Sequence, residues 1–413
     1  MVTTRRRAPE GRVEGSRVRT EQASPLAFVD EELGQVRAGG LWRWPRRLEG
    51  PQEPIARYDG REIVNLCSNN YLSLATHPAL KDAALRATAE YGVGSGAVRT
   101  IAGNMAIHEQ LEAELATFKR TEAVLLYQSG FAANAGTVAA LLGKEDVIVS
   151  DELNHASIID GSRLSGAEKR IFPHKDVEAA RRLLAAARGS RRILLITDGV
   201  FSMDGDIAPL PALVEAAEEF GAIMMVDDAH ASGVVGRDGR GTVDHFNLHG
   251  RVHIQVGTLS KAFAGLGGYV AGSRPLIDLL MHRARPLLFS TSHPPAVAAS
   301  CVAAVRLVQQ HPELIARLWE NTRFFKDGLR RAGFDTGASE TPITPVIVGD
   351  EARALQLSDR LFDEGVFAVG IAFPTVARGR ARVRTIVTAG HTREHLERAL
   401  EAFARAGRAV GVI

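Results

Sequence analysis

Lys261 is the residue whose surroundings point most directly to chemistry. It lies between a small polar run, 257–260, and a glycine-rich run, 262–268. A lysine in small, uncharged surroundings can have its pKa lowered, and its neutral amine can then attack a carbonyl. Asp227 follows the apolar run 223–226, where an acid can hold a cationic ring nitrogen. The two residues together predict a pyridoxal phosphate (PLP) site, with Lys261 as the Schiff-base lysine and Asp227 as the partner of the pyridinium nitrogen.

Three further polar residues follow strand-like runs. His230 lies three residues after Asp227 and is predicted to reach the phenolic oxygen of PLP. His155 follows an apolar run, so its ring could stack on a flat cofactor and pass protons. Ser202 is a candidate hydroxyl donor. Taken alone, each histidine could equally be a hydrogen-bonded core residue, and Ser202 could lie in a plain turn. The neighbouring acid Asp228 is an alternative to Asp227 as the partner of the pyridinium nitrogen.

The junction at 129–131 is a candidate anion site. Ser129, Gly130 and Phe131 follow the apolar run 123–127 and precede a helical pattern. Backbone N–H groups at the start of a helix attract phosphate, although a simple strand–helix turn would look the same.

The segment 92–97 fits the dinucleotide-binding pattern G-x-G-x-x-G/A. It supports a competing hypothesis, a non-catalytic nucleotide-binding α/β protein. However, the preceding residues 78–91 have a helical pattern, whereas the dinucleotide motif needs a strand there. We therefore interpret 92–97 as a flexible turn near the active site.

Two arginines alternate on a predicted strand near the C-terminus. Arg382 and Arg384 lie on the same face of that strand, where either could bind a substrate carboxylate through two hydrogen bonds. A solvent-facing ion pair is the alternative for each. His391 and His395 are four residues apart but lack the H-E-x-x-H pattern, so no metal site is predicted.

The composition bounds the class of protein. The 413 residues are 45% hydrophobic and 24% charged, with a net charge of +2, which favours a globular protein and gives no case for a nucleic-acid or membrane partner. Cys67 and Cys301 are too few for a disulfide framework. The N-terminus has no apolar stretch typical of a secretory signal, so we expect a cytoplasmic protein.

Strand-like and helical patterns alternate through the middle of the chain. Alternation of this kind predicts an α/β fold with a mainly parallel sheet, whose carboxyl ends gather the candidate residues. After residue 295 the pattern changes to two long helices and then short strands. The predicted divisions are a disordered N-terminal arm over 1–24, a helix and short strand over 25–62, a large PLP-binding domain over 63–295 and a small α+β C-terminal domain over 296–413.

Seven stretches occur in the order found in the α-oxoamine synthase family of fold-type I PLP enzymes. The chain resembles that family over about residues 40–413, and the seven stretches together are highly specific. They are SNNYLSL at 68–74, GSGAVR at 94–99, NHAS at 154–157, TDGVFSMDG at 197–205, VDDAH at 226–230, GTLSKA at 257–262 and LFSTS at 288–292. The resemblance implies a mainly parallel seven-stranded sheet in the large domain.

The resemblance also implies roles for residues around the cofactor ring. Lys261 would bind the cofactor and move the substrate's Cα proton, while Asp227 pairs with the pyridinium nitrogen. His155 would stack on the ring, His230 would contact its phenolic oxygen, and Ser202 would assist near that oxygen.

The phosphate and substrate contacts follow from the same resemblance. The backbone at Gly130 and Phe131, with Ser129 beside it, would bind the phosphate together with Thr258. Thr291 and Ser292 would reach the phosphate of a neighbouring subunit, which implies a homodimer with shared active sites. The residues implied for the substrate carboxylate are Asn69 and Arg384.

The implied activity is an acyl-CoA:amino acid C-acyltransferase that releases CoA. Among family members, the chain resembles glycine C-acetyltransferase and 8-amino-7-oxononanoate synthase most. The first joins glycine to acetyl-CoA in threonine breakdown, and the second joins alanine to a pimeloyl thioester in biotin synthesis. We expect broad specificity with glycine and acetyl-CoA as a main pair. Enzymes of the 5-aminolevulinate synthase or serine palmitoyltransferase type are the alternatives within the family.

Overall fold

The computed structural model describes residues 24–39, 42 and 44–413. The predicted N-terminal arm over 1–24 therefore lies outside the described residues except for Ser24. Up to Arg47 the chain is a separate unit that contains helix α1, Ala27–Ala38, and the stacked rings of Trp42 and Trp44. Residues 48–413 form one compact unit. The domain boundaries proposed from the sequence stay a prediction.

The strands of the compact unit form three sheets. Their bounds are β1 Ile55–Tyr58, β2 Arg61–Asn65, β3 Ala123–Tyr127, β4 Val147–Asp151, β5 Glu168–Phe172, β6 Ile193–Asp198, β7 Ile223–Asp227, β8 Ile254–Thr258, β9 Gly268–Gly272, β10 Ile343–Gly349, β11 Val366–Phe367, β12 Val369–Ile371 and β13 Ala381–Ile386.

Helices cover these sheets. Their bounds are α2 Pro78–Tyr91, α3 Ala106–Lys119, α4 Gly130–Leu141, α5 Ala156–Ser165, α6 Val177–Ala186, α7 Leu210–Phe220, α8 Thr242–His245, α9 Arg274–Arg283, α10 Arg285–Leu288, α11 Pro295–Gln310, α12 Pro312–Arg331, α13 Glu351–Asp363 and α14 Arg393–Val410. No helix in the described part of the chain is both long and apolar enough to span a membrane.

The large sheet has seven strands in the order β3-β9-β8-β7-β6-β4-β5. Only β9 runs antiparallel to its neighbours, so the predicted mainly parallel, seven-stranded sheet is confirmed. The apolar strands β3, β4, β6 and β8 are buried along their whole length because helices cover both faces.

Two strands of this sheet carried no clear sequence pattern. Strand β9, Gly268–Gly272, is rich in glycine, because a Cβ on Gly268 would collide with the backbone of Ser129. Strand β5, Glu168–Phe172, lies at the sheet edge and carries charged side chains, which edge strands tolerate.

The C-terminal part contains a small antiparallel sheet, β10-β13-β12, which packs against α13, and α12 and α13 both pack against α14. The sequence predicts one strand over 366–371, and this is wrong in detail. The chain bends at Ala368, where Ser358 Oγ donates to the Ala368 carbonyl at 2.7 Å. The first part pairs in parallel with β2, and the second pairs with β13.

Candidate active site

The candidate residues converge where the parallel strands end. Asp151, Asp198, Asp227 and Thr258 are the last residues of β4, β6, β7 and β8. Because these strands are parallel, the sheet alone brings the four side chains to one edge.

A cavity of about 220 Å³ opens at this edge. It is lined by Ser129, Gly130, Phe131, His155, Ser157, Asp198, Val200, Asp227, Ala229, His230, Thr258, Ser260 and Lys261. Eight residues predicted from the sequence are therefore brought together around one cavity.

Lys261 lies in the wall of this cavity. The pKa of its ammonium is lowered to about 8, mainly by burial and to a smaller extent by the positive charge of Arg384. The carboxyl groups of Asp227 and Asp198 act in the opposite direction. A pKa of about 8 leaves roughly a tenth of the amine neutral at pH 7, so Lys261 can act as a nucleophile and a base.

Asp227 is held by Asn134, a residue of α4 to which the sequence assigned no role. Asn134, on α4, donates its Nδ2 to Asp227 Oδ2 at 2.6 Å and to Ser157 Oγ at 2.9 Å. The Ala229 N–H donates to the second carboxylate oxygen at 2.8 Å. These contacts fix the plane of the Asp227 carboxylate at the cavity wall.

The same hydrogen-bonded chain continues to His155. Its Nδ1 lies 2.7 Å from Ser157 Oγ and accepts the Ser157 N–H at 3.2 Å. Burial lowers the pKa of His155. The ring is thus neutral, and its proton is on Nε2.

His230 is oriented by Tyr71. The Tyr71 hydroxyl lies 2.8 Å from His230 Nδ1. Burial raises the pKa of Tyr71 and, with the charge of Lys261, lowers that of His230 well below its usual value. The phenol therefore donates to Nδ1, and the imidazole carries its own proton on Nε2. Tyr71 lies within the motif at 68–74, but its contact with His230 needs the fold.

Asp198 is a second acid in the cavity that sequence reasoning did not assign. The His155 N–H donates to its Oδ2 at 3.2 Å. Burial and the neighbouring Asp227 charge raise the pKa of Asp198 well above its usual value. The sequence feature that could have identified Asp198 is its position directly after the apolar run that forms β6.

The anion end of the cavity is the start of α4. Ser129 caps this helix by accepting the Ala132 N–H at 3.1 Å, which leaves the first helical N–H groups directed to the cavity end. Thr258 Oγ1 lies 2.7 Å from Ser260 Oγ and donates to the Gly267 carbonyl at 2.8 Å. These N–H and hydroxyl groups suit a phosphate.

The cavity therefore fits PLP on observations of this chain. It has a phosphate-binding helix start at one end and an acid at a strand end at the other. The side-chain oxygens Oδ1 of Asn134 and Asp198 are buried without a hydrogen-bond partner in the described part of the chain. Unpaired buried polar atoms are costly unless a ligand satisfies them.

The two C-terminal arginines have different surroundings. Arg382 is buried, and its Nη1 donates to the Met203 carbonyl at 3.0 Å and to Asp204 at 2.6 Å. Arg384 is half-buried, and its charge lowers the pKa of Lys261 and His230. The structure thus separates Arg382, a buried arginine paired with Asp204, from Arg384, whose charge acts on two residues of the cavity.

The remaining predicted residues lie outside the cavity lining. Ser202 accepts from Arg384 Nη1 through its backbone carbonyl at 3.2 Å. Asn69 has a buried side-chain oxygen without a hydrogen-bond partner among the described residues. Ser292 is buried and donates its Oγ to the Ala97 carbonyl at 3.0 Å, whereas Thr291 is exposed.

No group of three His, Cys, Asp or Glu side chains within 24–39, 42 and 44–413 is placed to hold a metal ion. The segment 92–97 follows α2 directly, with Gly92 as the residue that ends the helix. It therefore lacks the preceding strand of a dinucleotide site, and the nucleotide-binding hypothesis is not favoured.

Comparison with known proteins decides the family. The sequence model of aminotransferase class I and II matches residues 61–403. The chain belongs to this family. It is 61% identical to the 8-amino-7-oxononanoate synthase of Symbiobacterium thermophilum over 387 residues, which covers 94% of this chain and 99% of that protein.

Solved structures give the same assignment. A serine palmitoyltransferase from S. paucimobilis, solved with bound PLP and myriocin, has a TM-score of 0.89 at 30% identity and covers 95% of this chain and 100% of its own. The 8-amino-7-oxononanoate synthase of Francisella tularensis has a TM-score of 0.72 at 27% identity, with coverages of 85% and 99%. The resemblance to α-oxoamine synthases and the fold-type I architecture are confirmed.

Proposed function

We propose that this member of the aminotransferase class I and II family is a PLP-dependent acyltransferase that acts as an 8-amino-7-oxononanoate synthase. It joins alanine to the pimeloyl group of a thioester. A carbon–carbon bond forms between the alanine Cα and the thioester carbonyl, the carbon–sulfur bond breaks to release CoA, and the alanine carboxylate leaves as CO₂. The observation that carries this proposal is the 61% identity, over nearly the whole chain, to a protein of that name.

This proposal narrows the expectation from the sequence. The sequence predicts broad specificity with glycine and acetyl-CoA as a main pair, but the relative with 61% identity carries the name of the enzyme that joins alanine to a pimeloyl thioester. Glycine C-acetyltransferase activity is therefore the alternative result of the product analysis described below.

The cofactor would be held by the residues that surround the cavity. Lys261 supplies the amine for its aldehyde, and Asp227 supplies the carboxylate for its ring nitrogen. The His230 Nε2–H is free to donate because Tyr71 already occupies Nδ1. His155 would lie against the ring face, and the start of α4 would receive the phosphate.

When bound, PLP supplies an electron sink that stabilises negative charge at the amino acid's Cα. The protein's part is to move the Cα proton. Lys261 can accept it because burial lowers the pKa of its ammonium to about 8. The fixed carboxylate of Asp227, held by Asn134 and the Ala229 N–H, preserves positive charge at the ring nitrogen.

The amino acid carboxylate would lie between Arg384 and Asn69. Arg384 is placed by the Ser202 carbonyl, which accepts from Nη1 and leaves the other guanidinium nitrogens for a carboxylate. Asn69 would contribute its side-chain NH2 group, which can donate to a carboxylate oxygen. Ser202 thus acts through its backbone in this proposal, while its hydroxyl would assist near the ring oxygen.

A homodimer would complete each site. The apolar side chains of Val93, Ile101, Leu266 and Phe289 are exposed, and Phe289 lies two residues before Thr291. Exposed apolar surface of this kind is typical of protein interfaces. We propose that Thr291, with Ser292 beside it, reaches the phosphate of the neighbouring subunit. A cytoplasmic location likewise stays a prediction.

Product analysis tests the proposed activity. Purified protein is given alanine or glycine crossed with pimeloyl-CoA, its carrier-protein equivalent or acetyl-CoA, and released CoA and the amino ketone are measured. We expect 8-amino-7-oxononanoate from alanine and the pimeloyl thioester. Turnover with glycine and acetyl-CoA alone would instead assign a glycine C-acetyltransferase. A colourless protein that binds no PLP would remove the cofactor assignment.

A further inference from the structure

His174 lies between two carboxylates just outside the cavity. Its Nδ1 is 3.1 Å from Asp151 Oδ1, and its Nε2 is 2.9 Å from Asp206 Oδ2. Ionised carboxylates only accept hydrogen bonds, so both ring nitrogens must donate. An imidazole donates from both nitrogens only when it is protonated. The geometry alone therefore assigns a positive charge to His174.

The first carboxylate belongs to the loop that carries the ring-stacking histidine. Asp151 ends β4, and its Oδ1 also accepts the Leu153 N–H at 2.9 Å. His155 follows in the same loop and caps α5. Anything that fixes the Asp151 side chain thus fixes the start of the segment that places His155.

The second carboxylate belongs to the loop that carries the substrate side of the site. Asp206 ends the turn after Ser202, and its backbone carbonyl accepts the Phe201 N–H at 3.1 Å. Phe201 also packs edge-on against the His174 ring, with centroids 4.4 Å apart. The Ser202 carbonyl at the tip of this loop is the group that places Arg384.

The same loop is held on its other side by the C-terminal part of the chain. Arg382 binds the Met203 carbonyl and Asp204. Thr341 donates its hydroxyl to the Gly205 carbonyl at 2.8 Å. The loop over 199–207 is therefore held between two parts of the structure, and on the large-sheet side it is held by His174 and by Lys175, whose Nζ donates to Asp206 at 3.0 Å.

We propose that His174 is a positioning residue whose imidazolium holds the His155 loop and the Ser202 loop together, so that the ring-binding and carboxylate-binding halves of the site keep one geometry. This inference rests on the proposed function. It assigns His174 no contact with cofactor or substrate.

The charges around His174 support a persistent imidazolium. Besides Asp151 and Asp206, Glu152 accepts the His174 backbone N–H at 2.9 Å. Lys175 Nζ is a second cation at this site and lies 3.0 Å from Asp206 and 3.6 Å from Glu340. Despite burial, the two carboxylates raise the pKa of His174 to about 9.

The contribution of the His174 bridge depends on pH. The pKa of His174 is raised above the value near 6.5 of an unfolded histidine. The stability that the bridge contributes is therefore fully present below about pH 6.5, and it is lost as the pH rises through about 9 and the imidazolium of the folded protein loses its proton. The coupling of the two loops should weaken over the same range.

The test compares the wild-type protein with H174Q and with H249Q as a matched control. His249 also pairs with an acid, Asp244 at 3.0 Å, and its side chain is as exposed as that of His174, at 21%. It does not line the cavity. At pH 7 we expect H174Q to raise the KM for alanine about tenfold, leave the KM for the thioester within about twofold and weaken PLP retention, while H249Q changes none of these.

Two further readouts separate positioning from general stability. Amide hydrogen exchange over 199–207 should speed up in H174Q, whether or not the chain turns over alanine. The ratio of the KM values of H174Q and wild type should fall towards one between pH 7 and pH 10, because the wild-type bridge is then deprotonated. H174R, which stays charged, should keep the loop protected to pH 10 and serves in place of H174Q should that variant not fold.

An H174Q protein with a lower melting temperature but unchanged KM, PLP retention and loop exchange would overturn the inference. So would a ratio of KM values that does not depend on pH. The wild-type substrate assays, in contrast, decide the proposed function independently.

Discussion

Two lysines of this chain have pKa values of about 8, yet their surroundings differ. Lys261 lies in the cavity wall at the end of the large sheet, near two carboxyl groups. Lys326 lies on α12, and its ammonium donates to the Ser339 carbonyl, the Ser339 hydroxyl and the Thr341 carbonyl at 2.9–3.0 Å. Burial is the largest cause of the lowered pKa in both cases.

The contacts of the two ammonium groups explain why Lys261 is reactive and Lys326 is structural. All three donor positions of the Lys326 ammonium are used within the protein, and they hold the loop over 339–341 in place. Lys261 instead faces a cavity of about 220 Å³ that a ligand can enter. A lowered pKa is thus shared by a structural and a reactive lysine, and access to the cavity distinguishes them.

Substitution of Lys261 is expected to have the largest effect on turnover, and substitution of Lys326 is its control. K261A should lower turnover on the order of 10³-fold or more, since it removes the base and the attachment point of PLP. The visible absorption of lysine-bound PLP should disappear. K326M is the control, and it should keep that absorption. If K261A kept the absorption of lysine-bound PLP, or if a folded K326M protein lacked it, Lys261 would not be the lysine that binds the cofactor.

The neighbouring acids Asp227 and Asp228 allow a second comparison of reactive and structural groups. D227N should reduce turnover by about 10²- to 10³-fold because it removes the carboxylate that preserves the ring nitrogen's charge. D228N should instead destabilise the fold by about 3–5 kcal/mol. It leaves Lys119, whose Nζ lies 2.9 Å from Asp228, as a buried charge without its partner.

Chemical denaturation and steady-state kinetics on both acid variants check this division. A D228N protein of normal stability, or a D227N protein of normal activity, would show that the roles of the two acids are not separated as proposed.

Arg384 and Arg382 extend the comparison to the C-terminal sheet. R384A should raise the KM for alanine about 10²-fold by removing the charge for the substrate carboxylate. R382A should cost about 1.5–3 kcal/mol of stability through the lost bond to Asp204, with a smaller change in KM. Equal effects of both variants on KM would mean that Arg384 acts only through the loop over 199–207.

The fold and much of the cavity could be predicted because strand ends are visible in the sequence. The apolar runs before His155, Asp227 and Lys261 indicated buried parallel strands, and such strands bring their carboxyl ends to one edge. The family motifs then gave the residues their expected roles.

The contacts that orient these residues could not be predicted in the same way. Tyr71 reaches His230 from a segment 159 residues earlier, and Asn134 reaches Asp227 across 93 residues. The sequence around Tyr71 or Asn134 has no pattern that predicts its hydrogen-bond partner. Lys119 has no sequence signal either, because a lysine on an amphipathic helix normally lies at the surface. Such pairs depend on how the helices pack on the sheet.

The smallest expected effect is the contribution of Lys326 to the pH dependence of the free energy of unfolding. The pKa of Lys326 is lowered to about 8, below the value near 10.4 of an unfolded lysine. Between these values the unfolded chain binds more protons, so this group makes stability rise as the pH increases. The free energy of unfolding of wild type minus that of K326M should therefore increase from pH 8 to pH 10. Urea unfolding of both proteins measures this difference and cancels the titration of Lys261, which the two share. A difference that stays constant over this range would mean that the three hydrogen bonds hold Lys326 protonated, and that only the cavity-facing lysine has a lowered pKa.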